Sequence, residues 1–158
     1  FSKQELLEIA EVVKQNENLY VIADEIYEYI NFGEPHFSLG SVDAIKDRVV
    51  TINGFSKGYA MTGWRVGYSA SSKVIADAID KMQSQITSGT CSIAQKAALA
   101  GILGDTGSSL EMTKTFHKRR ELMYGLLKEI PGIKVNLPKG AFYFFPDLSS
   151  YFGKSDGT

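Results

Sequence analysis

Apolar residues at Leu6, Ile9 and Val13 recur at three- and four-residue spacing, which predicts a helix running to about Lys14. Its start is legible in local chemistry. Ser2 stands where an N-cap hydroxyl accepts from the first turn, Glu5 follows three residues later as in a capping box, and Phe1 and Leu6 take the staple positions. Residues 19–23 form a short apolar run ending at Asp24, the pattern of a strand buried on both faces. Residues 28–47 read as a connection, with a turn at Gly33-Glu34-Pro35 and a helix-like patch at 42–46. A second strand is expected at 48–53, then a glycine-bearing loop, then a third strand at 65–70. Beyond it Val74, Ile75, Ala78, Ile79, Met82 and Ile86 form an amphipathic helical stripe, and 93–103, small and apolar on nearly all sides, predicts a buried helix. A longer helix is expected at 108–129, with Met112, Phe116, Met123 and Leu126 on one side and Pro131-Gly132 ending it. Short strands at 133–135 and 141–145 complete the reading.

Strand, connection and strand in succession imply an α/β fold: a mostly parallel sheet covered by helices. The connection 28–47 exceeds the roughly dozen residues that a parallel crossover needs. The next one does not. Only residues 58–64 separate Lys57 from Arg65, so the third strand must turn back antiparallel. Ligands of open α/β sheets sit beyond the carboxyl ends of the parallel strands. Asp24 ends the first strand, Tyr27 follows it, Lys57 lies just past the second, and the reversal brings Arg65 to the same edge. An acid, a phenol, an amine and a guanidinium are thus expected at one crevice. Gly54, Gly58, Gly63 and Gly67 surround the lysine, where glycine permits close backbone approach to a ligand.

The apolar fraction, 44%, supplies a sizeable core, and a net charge of −1 excludes an electrostatic footprint for nucleic acid or an anionic membrane. A single cysteine, Cys91, excludes an internal disulfide framework and suits a reducing, cytoplasmic setting; it is expected to be a small buried residue. No run approaches the ~20 apolar residues of a membrane span. His36 and His117 lack ligand-spaced partners, so no metal site is expected. Trp64 should pack beside the glycine loop, and Lys118-Arg119-Arg120 should be a solvated helix face.

The run from Asn53 to Tyr68, Asn-Gly-Phe-Ser-Lys-Gly-Tyr-Ala-Met-Thr-Gly-Trp-Arg-Val-Gly-Tyr, resembles the pyridoxal-phosphate attachment motif of class I/II (fold-type I) aminotransferases, nearest the aspartate aminotransferase-like subgroup. Ala23-Asp24-Glu25-Ile26-Tyr27 resembles that family's upstream motif, and the likeness extends through Pro138-Lys139-Gly140-Ala141-Phe142-Tyr143. The resemblance implies that Lys57 forms the Schiff base with the cofactor aldehyde and that Asp24 keeps the pyridine nitrogen protonated. It further implies that Tyr27 donates to the phenolic oxygen and that Arg65 grips the phosphate, a task for its planar fork. Ser56 is implied as a further phosphate contact, and Ser88 lies where relatives reach the partner subunit's cofactor. Many relatives carry a hydroxyl three residues before the lysine; Gly54 stands there, so that contact is lost or supplied elsewhere.

By the same resemblance, residues 1–112 would be the C-terminal half of a large cofactor domain, a three-layer mostly parallel sheet with one antiparallel strand. Residues 113–158 would open a small α+β domain. The expected activity is transamination between an L-amino acid and a 2-oxo acid, in a homodimer. An N-terminal phosphate-cradling loop, a ring-stacking aromatic residue, an asparagine and a C-terminal carboxylate-binding arginine are not found. The chain is therefore expected to be a fragment that does not transaminate by itself. β-Elimination or cyclisation on the same scaffold, and a non-catalytic dimerisation module, stay open as alternatives.

Overall fold

The structure, a computed structural model, describes residues 1–155 and 157, so Asp156 and Thr158 at the end of the expected small domain lie outside the described residues. Helix α1 spans Lys3–Gln15 and begins with the expected capping box: the Ser2 hydroxyl accepts from the Glu5 amide, and the Glu5 carboxylate accepts from the Ser2 amide at 2.6 Å. Its inner face buries Ala10 and Val13 against Leu39, Ile45 and Val49, with Leu6, Ile9, Val21 and Ala23 packed around them. The carboxyl end of α1 leaves unsatisfied carbonyls. Arg48 closes it by donating from Nη1 to the carbonyls of Val13 and Asn16, both at 2.6 Å.

Three strands form one sheet in the order β1 (Val21–Asp24), β2 (Val49–Gly54), β3 (Gly67–Ala70). β1 runs parallel to β2, and β3 returns antiparallel as the short connection requires. The register sets Asp24 beside Ile52 and Gly67 beside Gly54, so the end of β1 and the start of β3 meet the same end of β2.

Several burial expectations fail, for a common reason. α1 covers one face of β1, through Val21 and Ala23, and Ile22 on the other face is 76% exposed. α3 (Ser92–Leu103) is not a buried helix. It turns its small residues inward, with Ala94 and Ala98 buried and Gly101 against the Tyr59 ring, while Ile93, Leu99, Ile102 and Leu103 are exposed. α2 (Lys73–Ile86) buries no residue, and Val74, Met82 and Ile86 of its stripe are exposed. A three-stranded sheet has too little surface to cover all these apolar faces. Cys91 is exposed at the N-cap of α3.

α4 spans Gly107–Glu129 and packs largely through polar side chains. Ser109 donates to the Gly58 carbonyl and Thr113 to the Tyr29 carbonyl, each at 2.6 Å. Arg120 is no solvated cation: its side chain is 11% exposed, donates to the Pro138 carbonyl at 2.9 Å and lies 4.8 Å over the Phe32 ring. Met123 and Leu126, part of the apolar side expected with Met112 and Phe116, are exposed. The helix-like patch at 42–46 is a turn between two short 3-10 segments, Leu39–Ser41 and Lys46–Arg48.

The expected strands at 133–135 and 141–145 reduce to isolated bridges, Lys134 with Asp147 and Asn31 with Gly140. Ala141 sits at φ 57, which breaks extension, and Pro146 has no amide to continue a ladder.

At the sheet rim, a Cβ added to Gly54 would lie 2.8 Å from the Gly67 Cα and 3.1 Å from the Val66 carbonyl oxygen. A side chain at this position would require the two strands to shift locally. Gly54→Ala should lower stability by about 1–3 kcal/mol through overpacking. Urea unfolding checks this, and an unchanged midpoint would contradict the close approach.

Candidate active site

The chain leaves β1 at Asp24 in a tight turn. The Glu25 amide donates to the Ile52 carbonyl at 2.8 Å, and the Ile26 amide donates to Asp24 Oδ1 at 3.3 Å. Asp24 is exposed and Tyr27 half-buried. The loop after β2 folds on itself, with the Ala60 amide on the Lys57 carbonyl and the Met61 amide on the Phe55 carbonyl, both at 3.1 Å. Gly58 follows the lysine against Tyr29, where an added Cβ would come within 2.5 Å of the ring. Ser56 and Lys57 are half-buried on this loop.

Arg65 ends a 3-10 turn, Thr62–Trp64, in the left-handed region at φ 51 and ψ 51. That backbone costs a non-glycine residue about 1–2 kcal/mol. Its guanidinium donates to the Thr62 carbonyl at 2.8 Å, and Trp64 beside it is exposed rather than packed. Ser88, at φ 65, lies in the connection between α2 and α3.

A second aromatic wall stands across from the lysine. The Lys57 ammonium is 5.9 Å from the Phe142 ring centroid, and the Tyr27 ring meets the same Phe142 edge-on at 5.3 Å. The Tyr27 and Tyr143 hydroxyl oxygens are 2.6 Å apart. Burial first, then the hydrogen bond to Tyr143 and the negative charge of Asp24, push the Tyr27 phenol up to about 12, so it keeps its proton at neutral pH.

Residues 142 and 143 were legible only as part of a motif, because no local spacing connects them to Tyr27. Glu25 was missed as well. Its side chain is 10% exposed and accepts from Ser38 at 2.8 Å while its other oxygen meets His36 Nε2 at 2.9 Å, tying residues 36–38 to the turn that carries Asp24. His36 thus has a carboxylate partner. His117 touches Arg120 and lies edge-on to Phe32.

A cavity of about 590 Å3 opens between α1, β1 and residues 34–37 and includes Asp24, Tyr27 and His36; Lys57 and Arg65 lie outside its lining. Among the described residues, Asp24, Lys57 and Arg65 make no ion pair with one another. Nothing lies within 4 Å of a Cβ added at Gly63, which leaves open space on the loop leading to Arg65. This donor set fits pyridoxal phosphate, which presents a basic ring nitrogen, a phenolic oxygen, an aldehyde and a phosphate.

Comparison with known proteins agrees with that fit. The model of the family described as "Aminotransferase class I and II" matches residues 1–156. The chain is 48% identical over 157 residues to a bifunctional aspartate aminotransferase and glutamate/aspartate-prephenate aminotransferase of Petunia hybrida, covering 97% of this chain and 33% of that protein. It is 44% identical to an aspartate aminotransferase of Pinus pinaster, covering 97% of this chain and 32% of that one. In three dimensions it matches the aspartate aminotransferase of Rhizobium meliloti with a TM-score of 0.89 at 34% identity, over 92% of this chain and 37% of that one. The chain spans about a third of the length of the curated relatives it matches. The family is pyridoxal-phosphate dependent. With its fold, its rim of donors and a family match from residue 1 to residue 156, the chain belongs to the class I and II aminotransferases.

Proposed function

We propose that this chain is a segment of a pyridoxal-phosphate aminotransferase that exchanges the amino group between an L-amino acid and a 2-oxo acid. The observation that carries the reading is the register that sets Asp24, Lys57 and Arg65 at one end of β2. Aspartate, glutamate and prephenate, named for the Petunia relative, support amino and oxo acids with an acidic group as the substrate class. The same proposal divides the chain into a large-domain part, residues 1–112, and a small-domain part, residues 113–158; α4 runs continuously through that boundary. Homodimeric assembly and a cytoplasmic setting belong to the same proposal. No helix among the described residues is long and apolar enough to cross a membrane.

Bound at this rim, pyridoxal phosphate supplies an electron sink for the bond broken at the substrate Cα. The chain's residues do the rest. Asp24 holds a proton on the ring nitrogen, because a carboxylate favours the charged ring where a neutral partner would not. Tyr27 donates to the phenolic oxygen. Arg65 clamps the phosphate through paired N–H donors, and Ser56 adds a hydroxyl beside it. The Lys57 amine would anchor the cofactor and, once released, would carry the proton from the substrate Cα to the cofactor carbon it had held.

In the full-length protein, added pyridoxal phosphate should give a visible band that borohydride removes, and Lys57→Ala should show no such band. A reducible band that survives the substitution would contradict the assignment. Oxo-acid-dependent amino transfer without released ammonia separates transamination from elimination. Arg65→Lys should weaken cofactor binding by roughly ten- to a hundredfold, the loss of one charge-assisted hydrogen bond. It should leave the melting temperature of the cofactor-free protein unchanged; titration and thermal unfolding check the two halves.

A further inference from the structure

We propose that Tyr143 is a positioning residue for this site: its hydroxyl donates to Tyr27 and directs the Tyr27 proton toward the cofactor's phenolic oxygen. The inference rests on the reading of Asp24, Tyr27, Lys57 and Arg65 as cofactor contacts and adds a residue to it. The two hydroxyl oxygens are 2.6 Å apart, and the rings meet edge to face with centroids 5.7 Å apart at 83°. Phe142 braces the pair. Its ring lies 5.3 Å from Tyr27 and stacks on Phe116 of α4 at 5.3 Å. The segment is tied back to the turn that carries Tyr27, since the Ala141 amide donates to the Ile30 carbonyl at 2.8 Å. The Lys57 ammonium lies 5.9 Å from the centroid of the same Phe142 ring, so the amine and Tyr27 share one aromatic neighbour.

Proton counting then assigns the roles. A phenol has one proton to donate and two lone pairs to accept with. If Tyr27 spends its proton on the phenolic oxygen, its own oxygen still accepts, and Tyr143 is within reach to donate. Only hydroxyl rotors must turn between the cofactor-free and loaded states; the oxygens need not move. A hydroxyl that accepts a hydrogen bond becomes a better donor itself. The titratable groups facing Tyr27 are Tyr143 and Asp24, with Lys57 across Phe142.

The test is the pH midpoint of the visible cofactor band in the loaded full-length protein. A donor to the phenolic oxygen stabilises its anionic form and lowers that midpoint, so loss of the donor raises it. Tyr143→Phe should raise the midpoint by about half a pH unit, and Tyr27→Phe by more. In the Tyr27→Phe background Tyr143→Phe should add nothing. Tyr143→Leu should match Tyr143→Phe, because the hydroxyl and not the ring is the cause. An unmoved midpoint in Tyr143→Phe, a shift that persists without Tyr27, or a shift from leucine alone would each overturn the role of Tyr143. Absence of any pH-sensitive cofactor band in the unsubstituted protein would overturn the site reading instead, so the two failures are distinguishable.

Discussion

The backbones of β2 and β3 touch at Gly54 and Gly67, and the placement of the functional groups depends on that contact. An added Cβ would lie 2.8 Å from the opposite Cα, a distance that side-chain-bearing residues cannot occupy without separating the strands. Separation would move the loop between them, which carries Lys57 and Arg65. The short connection reverses the chain and leaves from the end of β2 at which Asp24 pairs with Ile52. One steric constraint therefore joins the sheet topology to the chemistry.

Around that contact the site is assembled from several parts of the chain. The turn after β1 is pinned by backbone bonding to Ile52 and by Glu25, which takes Ser38 and His36. The lysine loop is pinned from below by Ser109 of α4. The wall opposite it comes from Phe142 and Tyr143, more than a hundred residues from Tyr27 in sequence; Tyr143 is hydrogen-bonded to Tyr27 and Phe142 meets its ring edge-on. Arg65 is held in a left-handed backbone that a glycine or asparagine would adopt more easily. Its guanidinium donates back to the Thr62 carbonyl of the same turn.

What could be read from the sequence was what local physics decides. The capping box at Ser2 and Glu5 needs only residues three apart, and the antiparallel return of β3 follows from a connection too short to cross over. Burial could not be read in the same way. Ile22, Ile93 and Leu103 are as apolar as core residues, yet exposure depends on which neighbours are present, and three strands cannot cover both sheet faces and two further helices. Arg120 failed in the opposite direction, because a carbonyl at Pro138 and the Phe32 ring receive its guanidinium from far along the chain. Glu25 and Tyr143 lay inside motifs, but their partners are set by tertiary contacts that no spacing encodes.

A crystal structure of the full-length protein with pyridoxal phosphate bound would test the shared rim most directly. One cofactor molecule is expected, with the Asp24 carboxylate at its ring nitrogen, Lys57 joined at its aldehyde carbon and Arg65 on its phosphate. A cofactor seated elsewhere, or contacted by only one of these three side chains, would contradict the shared rim.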